Sequence, residues 1–348
     1  MKYDGFLPQY YNVLNKQIKP KYLITKHTPV SFKKTDSTEY LWNLHQDVIN
    51  QKADLINQDI FPKQSLLDLK IELSKRIYHQ CHFCEHNCQI DRSFKKGFCK
   101  INNSYIASAF THMGEERILI PSFTIFFSGC NFQCVFCQNH NISQNPTVGI
   151  KANDFNIKDV LLKNQQSIKN INWVGGDPTP HVKTILELLK KIDIPLAQIW
   201  NSNMYCSKET MSLLDGVIDM YLTDFKFGNN ACGRRLSGAE SYWDVVTRNH
   251  VLASKQTDVV IRHLLLPNHQ SCCTKPIIDW ISHNLHHYLM HFMNQYYPSY
   301  KAKKIDTLNS YVTNDEYFSI LKYAQKHKIM LYLEEADSLG TGEINILS

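Results

Sequence analysis

The 348-residue sequence predicts an α/β protein, on three observations. After Thr124, short β-rich runs alternate with amphipathic helical periods, the pattern of βαβ units that feed a parallel sheet. Six such runs occur, each separated from the next by enough chain for a crossover helix. Ahead of them the composition changes to a Lys-rich start, two helical periods and a loop-rich stretch with four cysteines.

Residues 1–75 read as a basic arm followed by helices. Residues 1–35 carry seven Lys and a single acid, Asp4, which accounts for the whole formal charge of +6. Charge confined to one terminal segment predicts a solvated or docking arm rather than a nucleic-acid surface. Residues 40–60 place Leu41, Leu44, Val48, Ile49, Leu55 and Ile56 at helical spacing, and 64–77 repeat the pattern. Residues 76–120 form a Cys-bearing segment, and 121–348 the α/β core. Strands are expected at 124–128, 171–174, 198–203, 220–225, 259–266 and 288–293. Helices are expected at 181–192, 208–214, 242–254, 275–285 and 314–327. Periodicity leaves two closures open, an incomplete (β/α) barrel and a doubly wound sheet. Both bind ligands at the C-terminal ends of their strands, so chemistry is sought there.

With 43% hydrophobic and 20% charged residues and no apolar run long enough to cross a bilayer, the composition excludes a helical membrane protein. The first twenty residues lack the apolar stretch of a secretory signal, so a cytoplasmic location is expected. Eleven cysteines, seven of them between Cys81 and Cys137, then point to metal or catalysis rather than to disulfides.

Directly after the first core strand, Cys130, Cys134 and Cys137 stand at C-x3-C-x2-C spacing. Three thiolates on a tight loop can hold three irons of a cubane cluster and leave the fourth open to an exogenous ligand. A ferredoxin would supply a fourth Cys, and none follows at that spacing; a structural zinc loop is the plainer alternative. After the second strand comes Gly175-Gly176-Asp177, where paired glycines let a ligand approach the backbone and an acid can accept from an ammonium group. Later strand ends read Trp200-Asn201-Ser202-Asn203, Asp224-Phe225-Lys226, Ile261-Arg262-His263 and Asn294-Gln295-Tyr296. Polar residues recurring at strand ends are costly to bury unless they bind something.

The triad, with Phe136 before its last Cys, resembles the signature of the radical S-adenosylmethionine (SAM) family. About three quarters of the chain, from Cys81 onward, is similar to one subgroup, the uncharacterised pyruvate formate-lyase activating enzyme-like iron–sulfur proteins. The matching residues include Gly114-Glu115-Glu116, Thr124 to Cys130, Gly175 to Pro180, Trp200 to Tyr205, Asp224-Phe225-Lys226, Arg262-His263, Cys272-Cys273 and Gln295 to Pro298. The resemblance implies a partial (β/α)6 TIM-like barrel with an N-terminal helical, loop-rich, Cys-containing extension. It implies a [4Fe-4S] cluster on Cys130, Cys134 and Cys137, with SAM on the open iron and Phe136 against the adenine. Gly175, Gly176 and Asp177 would meet the SAM amine, Asp177 being one methylene shorter than the family's Glu. Ser202, Asp224, Lys226 and Arg262 would surround the carboxylate and ribose. Some members bind a monovalent cation through a strand-three acid; Asn201 stands there instead, so no cation is expected.

Cys81, Cys84, Cys88 and Cys99 also follow the subgroup's pattern and would close a second metal site, holding zinc or a second cluster, with His82 and His86 as solvated neighbours. Cys206, Cys232, Cys272 and Cys273 read as buried small residues. The implied activity is reductive cleavage of SAM to a 5′-deoxyadenosyl radical that abstracts hydrogen from a substrate, activating-enzyme-like, on a protein or peptide. The alternatives are radical modification of a small molecule or RNA, and a non-catalytic iron–sulfur or zinc protein. A one-electron reductant such as flavodoxin or ferredoxin and a protein substrate are the expected partners, with neither membrane nor nucleic acid among them.

Overall fold

Six short runs rich in β-branched and aromatic residues lie side by side in the computed structural model of the chain, which describes residues 3–51 and 61–333. Four helices precede the sheet: α1 (Pro8–Leu14), α2 (Lys21–His27), α3 (Thr38–Asn50) and α4 (Leu66–His79). Then come β1 (Tyr105–His112), β2 (Ser122–Phe127), α5 (His140–Ser143), β3 (Ile150–Lys151), α6 (Ile157–Asn164), β4 (Asn170–Gly175) and α7 (Val182–Lys190). The rest alternates: β5 (Ala197–Ser202), α8 (Lys208–Leu214), β6 (Met220–Asp224), α9 (Asn230–Ser237), α10 (Tyr242–Gln256), β7 (Asp258–Leu264), α11 (Lys275–Asn284), β8 (Leu289–Met293) and α12 (Asn314–Lys326).

The sheet order is β3-β1-β2-β4-β5-β6-β7-β8, with β2 and β4 to β8 parallel and β1 antiparallel to both its neighbours. The six parallel strands follow one another in chain order. A doubly wound sheet reverses direction at a switch point, and this one does not, so the molecule is a singly wound, open (β/α)6 barrel. All six expected strands are present, each shifted by no more than two residues at its start. Side chains alternate in and out along each strand. Phe123, Ile125, Trp173, Trp200, Tyr221, Val259, Ile261 and Phe292 pack outward beneath the helices, while Ala197, Ile199, Met220, Leu222, Val260 and Leu289 fill the lower interior.

That interior is completed by the N-terminus. Tyr3, Leu7, Tyr10, Tyr11 and Val13 pack against Ile199, Met220, Leu222 and Val260. The solvated arm expected from charge is thus a plug across the N-terminal ends of the strands. Its charge is carried at the rim, where Lys26 pairs with Asp193 at 2.6 Å, while its tyrosines are buried. Aromatic residues interspersed among the lysines were the signal that charge counting overlooked.

Of the helix expected at 40–60, the described part ends at Asn50, and 52–60 lie outside the described residues. Ser65 starts α4 through a capping box with Asp68. α1, α2, α5, α6, α9, β1 and β3 lie outside the expected helices and strands. In β1 the alternation of Tyr105, Ala107, Ala109 and Thr111 with Ile106 and Phe110 lay inside a segment read for its cysteines.

Candidate active site

β2 delivers the chain to Gly129, whose φ of +95° demands glycine and against which the Ile101 side chain packs. The cysteine loop follows. The Gln133 and Val135 amides donate to the Ser237 and Leu236 carbonyls at 2.8 and 2.9 Å, holding the loop open along α9. The Phe132 amide donates to Cys130 Sγ at 3.2 Å, and Ser143 Oγ lies 3.2 Å from Cys137 Sγ. Such hydrogen bonds stabilise a metal-bound thiolate. Burial pushes the Cys130 thiol well above its usual range, and pushes Cys134 up to about 12 against the pull of Lys226. Buried sulfurs of this kind give up their protons to a cation rather than to water.

The triad lines a cavity of about 260 Å³ whose other walls are the C-terminal ends of the parallel strands. Among the described residues, no fourth cysteine and no histidine lines it. Nor do the three sulfurs all lie within 4.8 Å of one another. A larger hollow of about 890 Å³, beside Phe32 and α4, is lined by no cysteine or strand end.

Gly175 and Gly176 end β4, and what approaches them is the cysteine loop's own backbone. A Cβ on Gly175 would lie 2.2 Å from the Phe127 carbonyl oxygen, and one on Gly176 2.1 Å from that of Gly129. The Gly176 and Asp177 amides donate to those two carbonyls at 2.9 and 3.2 Å. The glycines therefore lock β4 to the triad as well as lining the cavity. Asp177 is buried and accepts from the Thr179 amide (2.9 Å), the Asn203 amide (2.8 Å) and Ser202 Oγ (3.1 Å). Burial raises its carboxyl, and those hydrogen bonds pull the other way. Two carboxylate oxygens offer about four acceptor positions, so these donors leave room for little more than one further hydrogen bond.

Across the cavity, Lys226 Nζ and the Arg262 guanidinium bind Asp224 at 2.8 and 3.0 Å. Burial alone would raise Asp224, but the two cations outweigh it and hold the carboxyl at about 2. The Lys226 amide donates to the Tyr242 hydroxyl at 2.8 Å, which fixes the turn after β6. Arg262 also reaches Asn201 and, at 3.3 Å, Glu115. Glu116, beside it, meets His291 Nδ1 at 2.9 Å. Burial, with Glu116 and Asp224 nearby, pushes Glu115 up to about 7. Glu115 and Glu116 come from the β1–β2 connection and reach the lumen from outside the six repeats. Sequence reasoning quoted them without giving them a role, because nothing local marks a turn residue as the partner of an arginine 147 positions away.

Every cofactor-binding residue expected from sequence (Phe136, Gly175, Gly176, Asp177, Ser202, Asp224, Lys226 and Arg262) lines this one cavity with the triad. Asn203, whose Nδ2 donates to Asn131 Oδ1 at 2.8 Å, joins them. Phe136 faces Phe227 and Tyr296 at 6.0 and 6.3 Å between centroids, forming an aromatic side wall.

The Cys81–Cys99 segment folds on itself through the Cys81 amide donating to Ile90 and the Gln89 amide donating to Cys81 (2.8 and 2.9 Å). Gly97 allows Cys88 Sγ to approach, since an added Cβ would lie 2.7 Å from it. No three of these four sulfurs come within 4.8 Å of one another. His86 is no solvated neighbour: its ring stacks on Phe98 at 3.7 Å and donates to the Asn131 carbonyl at 2.8 Å. It ties this segment to the triad loop, and burial lowers its pKa.

A family model for the radical SAM superfamily matches residues 124–281. The uncharacterized protein MJ0674 of Methanocaldococcus jannaschii is 46% identical over 332 residues, covering 92% of this chain and 98% of that protein. Among solved structures, Streptococcus suis SuiB bound to S-adenosylmethionine is 13% identical with a TM-score of 0.45. That match covers 59% of this chain and 48% of SuiB, so the chain spans about half of SuiB's length. A domain of pyruvate-formate lyase-activating enzyme from Bacteroides vulgatus is 11% identical with a TM-score of 0.39, covering 47% of this chain and 98% of that domain.

Proposed function

The chain belongs to the radical SAM superfamily, and from that premise we propose that Cys130, Cys134 and Cys137 hold its [4Fe-4S] cluster and that it acts, like an activating enzyme, on a protein or peptide. When bound, the cluster and SAM supply a one-electron cleavage whose 5′-deoxyadenosyl radical abstracts a hydrogen atom. The observation that carries the reading is the convergence, on one cavity, of three thiols without a fourth and two cations on a shared acid.

In this reading Lys226 and Arg262 present positive charge to the SAM carboxylate while Asp224 keeps both side chains in place. Asp177 acts chiefly by position, joining the ends of β4 and β5 through Thr179, Ser202 and Asn203, and offers its remaining lone pair to the SAM ammonium. Phe136 supplies an apolar face for adenine, and Leu264 and Met293 keep that part of the cavity free of competing polar groups. Among the described residues β3 and β8 do not pair, and the opening between them is the proposed lateral approach for a macromolecular substrate. Flavodoxin or ferredoxin is the proposed electron donor. Cys81, Cys84, Cys88 and Cys99 are the proposed ligands of a second metal site, holding zinc or a second cluster.

The test is anaerobic cluster reconstitution followed by SAM and dithionite, with 5′-deoxyadenosine as the readout. Wild type is expected to form it and Cys134→Ala to fall to background. Undiminished product from Cys134→Ala, or none from fully loaded wild type, would sink the reading. Iron and zinc counts on Cys84→Ser/Cys88→Ser check the second site, where loss of zinc or of iron without loss of the SAM-binding cluster is expected.

A further inference from the structure

Three cysteines outside both sets meet at one place. Cys232 lies in the first turn of α9; Cys272 and Cys273 lie in a wide turn, residues 270–274, that leads from β7 into α11. Among the described residues, Cys232, His269 and Cys272 are the group of candidate metal ligands whose donor atoms all fall within 4.8 Å of one another. The Cys232 and Cys272 sulfurs are 3.9 Å apart, and Cys273 Sγ is 3.8 Å from Cys272 Sγ. Two thiolates on one tetrahedral ion with bonds near 2.3 Å stand about 3.8 Å apart.

The imidazole argues further for a metal. His269 is buried, and its Nδ1 lies 2.8 Å from the Pro267 carbonyl, which can only accept. The proton is therefore on Nδ1, and Nε2 carries a lone pair, the arrangement that outer partners impose on metal-binding histidines. Nε2 is met at 3.1 Å by Arg235, an exposed side chain free to swing aside. Neither buried apolar thiols nor a disulfide needs an oriented imidazole. The loops are also prepared for one another. Asn229 Nδ2 donates to the Cys272 carbonyl at 2.7 Å, and Gly228 permits a contact that any Cβ would block at 2.5 Å from the Cys273 carbonyl oxygen.

We propose that Cys232, His269 and Cys272 form a mononuclear site for a divalent ion of zinc's type, with Cys273 the nearest fourth donor. Cys232 and Cys272 release their protons to solvent as the ion enters, which leaves the site without net charge while the fourth position is held by water; when Cys273 takes that position a third proton leaves and the site carries one negative charge. The ion would join the loop after β6, which begins at Phe225 and carries Lys226, to the turn after β7. This site stands apart from the SAM-cleaving reading and does not depend on it.

Cobalt(II), as a spectroscopic stand-in for zinc, is titrated into the full chain under anaerobic conditions. Because Cys81 to Cys99 and the Cys130–Cys137 triad can also take cobalt, the titration is run in a background with Cys84→Ser, Cys88→Ser, Cys130→Ser and Cys134→Ser as well as in wild type. Thiolate-to-cobalt charge-transfer and tetrahedral d–d bands are expected in both. They should be lost from that background with Cys232→Ser or His269→Gln added, and kept with Cys206→Ser. Unchanged bands in the Cys232→Ser variant, no bands at all, or a Cys232–Cys272 disulfide in metal-free anaerobic protein would overturn the proposal. Should those variants misfold, wild type still decides. Zinc should protect Cys232 and Cys272 from alkylation, mapped by peptide mass, and equal labelling with and without zinc would count against the site.

Discussion

At the base of the barrel Asp219 and Asp258 accept backbone amides from the N-terminal plug, whereas at the top Asp224 accepts only from two side-chain cations that face a cavity. Asp258 takes the Tyr10 amide at 2.7 Å; Asp219 takes the Lys21 amide at 3.0 Å, the Gln198 amide at 2.8 Å and the Gln9 side-chain amide at 2.9 Å. The Tyr10 and Lys21 amides lie in the first turns of α1 and α2, have no partner within the helix and leave only if the helix lifts away as a unit, so the base is a latch. A lysine or arginine can turn from one anion to another, so the top is a receptor. β6 carries both kinds of aspartate, Asp219 just before its first residue and Asp224 as its last.

Breaking the base should cost the most stability and the least chemistry. Tyr10 is fully buried, accepts from Asn170 at 2.9 Å and donates to the Ile118 carbonyl at 3.2 Å. Tyr10→Ala is expected to lower unfolding free energy by about 3–5 kcal/mol, measured in urea, while folded protein keeps its 5′-deoxyadenosine yield. Loss of yield in fully folded variant would mean that the base also shapes the site.

Next in size, the two ends should titrate in opposite senses. Burial raises Asp258 to about 6, against hydrogen bonds from Tyr10 and Gln9. Its contribution is present below the unfolded value and lost as pH rises through about 6. Asp224, held at about 2, contributes above the unfolded value and loses that contribution as pH falls toward 2. Each shift corresponds to roughly 3 kcal/mol. Asp258→Asn should therefore flatten the decline in stability between about pH 4 and about pH 6, and an unchanged decline would assign it elsewhere.

The smallest effect sharpens the top alone. Lys226→Met is expected to weaken SAM binding by about 2 kcal/mol, roughly thirtyfold, by equilibrium dialysis. Because Arg262 remains on Asp224 when Lys226 is removed, the folding cost should stay below about 2 kcal/mol. A larger loss of stability than of affinity would make Lys226 part of the scaffold.

What could be read from sequence was whatever its neighbours define. The spacing of Cys130, Cys134 and Cys137, the Gly175-Gly176-Asp177 turn and the six apolar runs are local, and the chain's own periodicity places them. The unread parts join residues far apart. Tyr10 finds Asp258 and Glu115 finds Arg262 across 248 and 147 positions, and Cys232 finds His269 and Cys272 only when two loops meet. Gly175 and Gly176 were read for a ligand's approach, yet their tightest contact is the protein's own backbone, a distinction that no pattern of residue types carries.

The plug also sets an order of events. The Tyr3 hydroxyl donates to the Leu333 carbonyl at 3.2 Å, so nearly the first and nearly the last described residues touch. On the ribosome, residues 3–27 emerge roughly 12–50 s before β7 exists to receive them. Helices of seven residues do not persist alone over such a wait. The part of the chain made first is therefore seated last, and its tyrosines pass synthesis in water or in the care of a chaperone. A nascent chain stalled before β7 should expose residues 3–27 to protease, and one released after Leu333 should not.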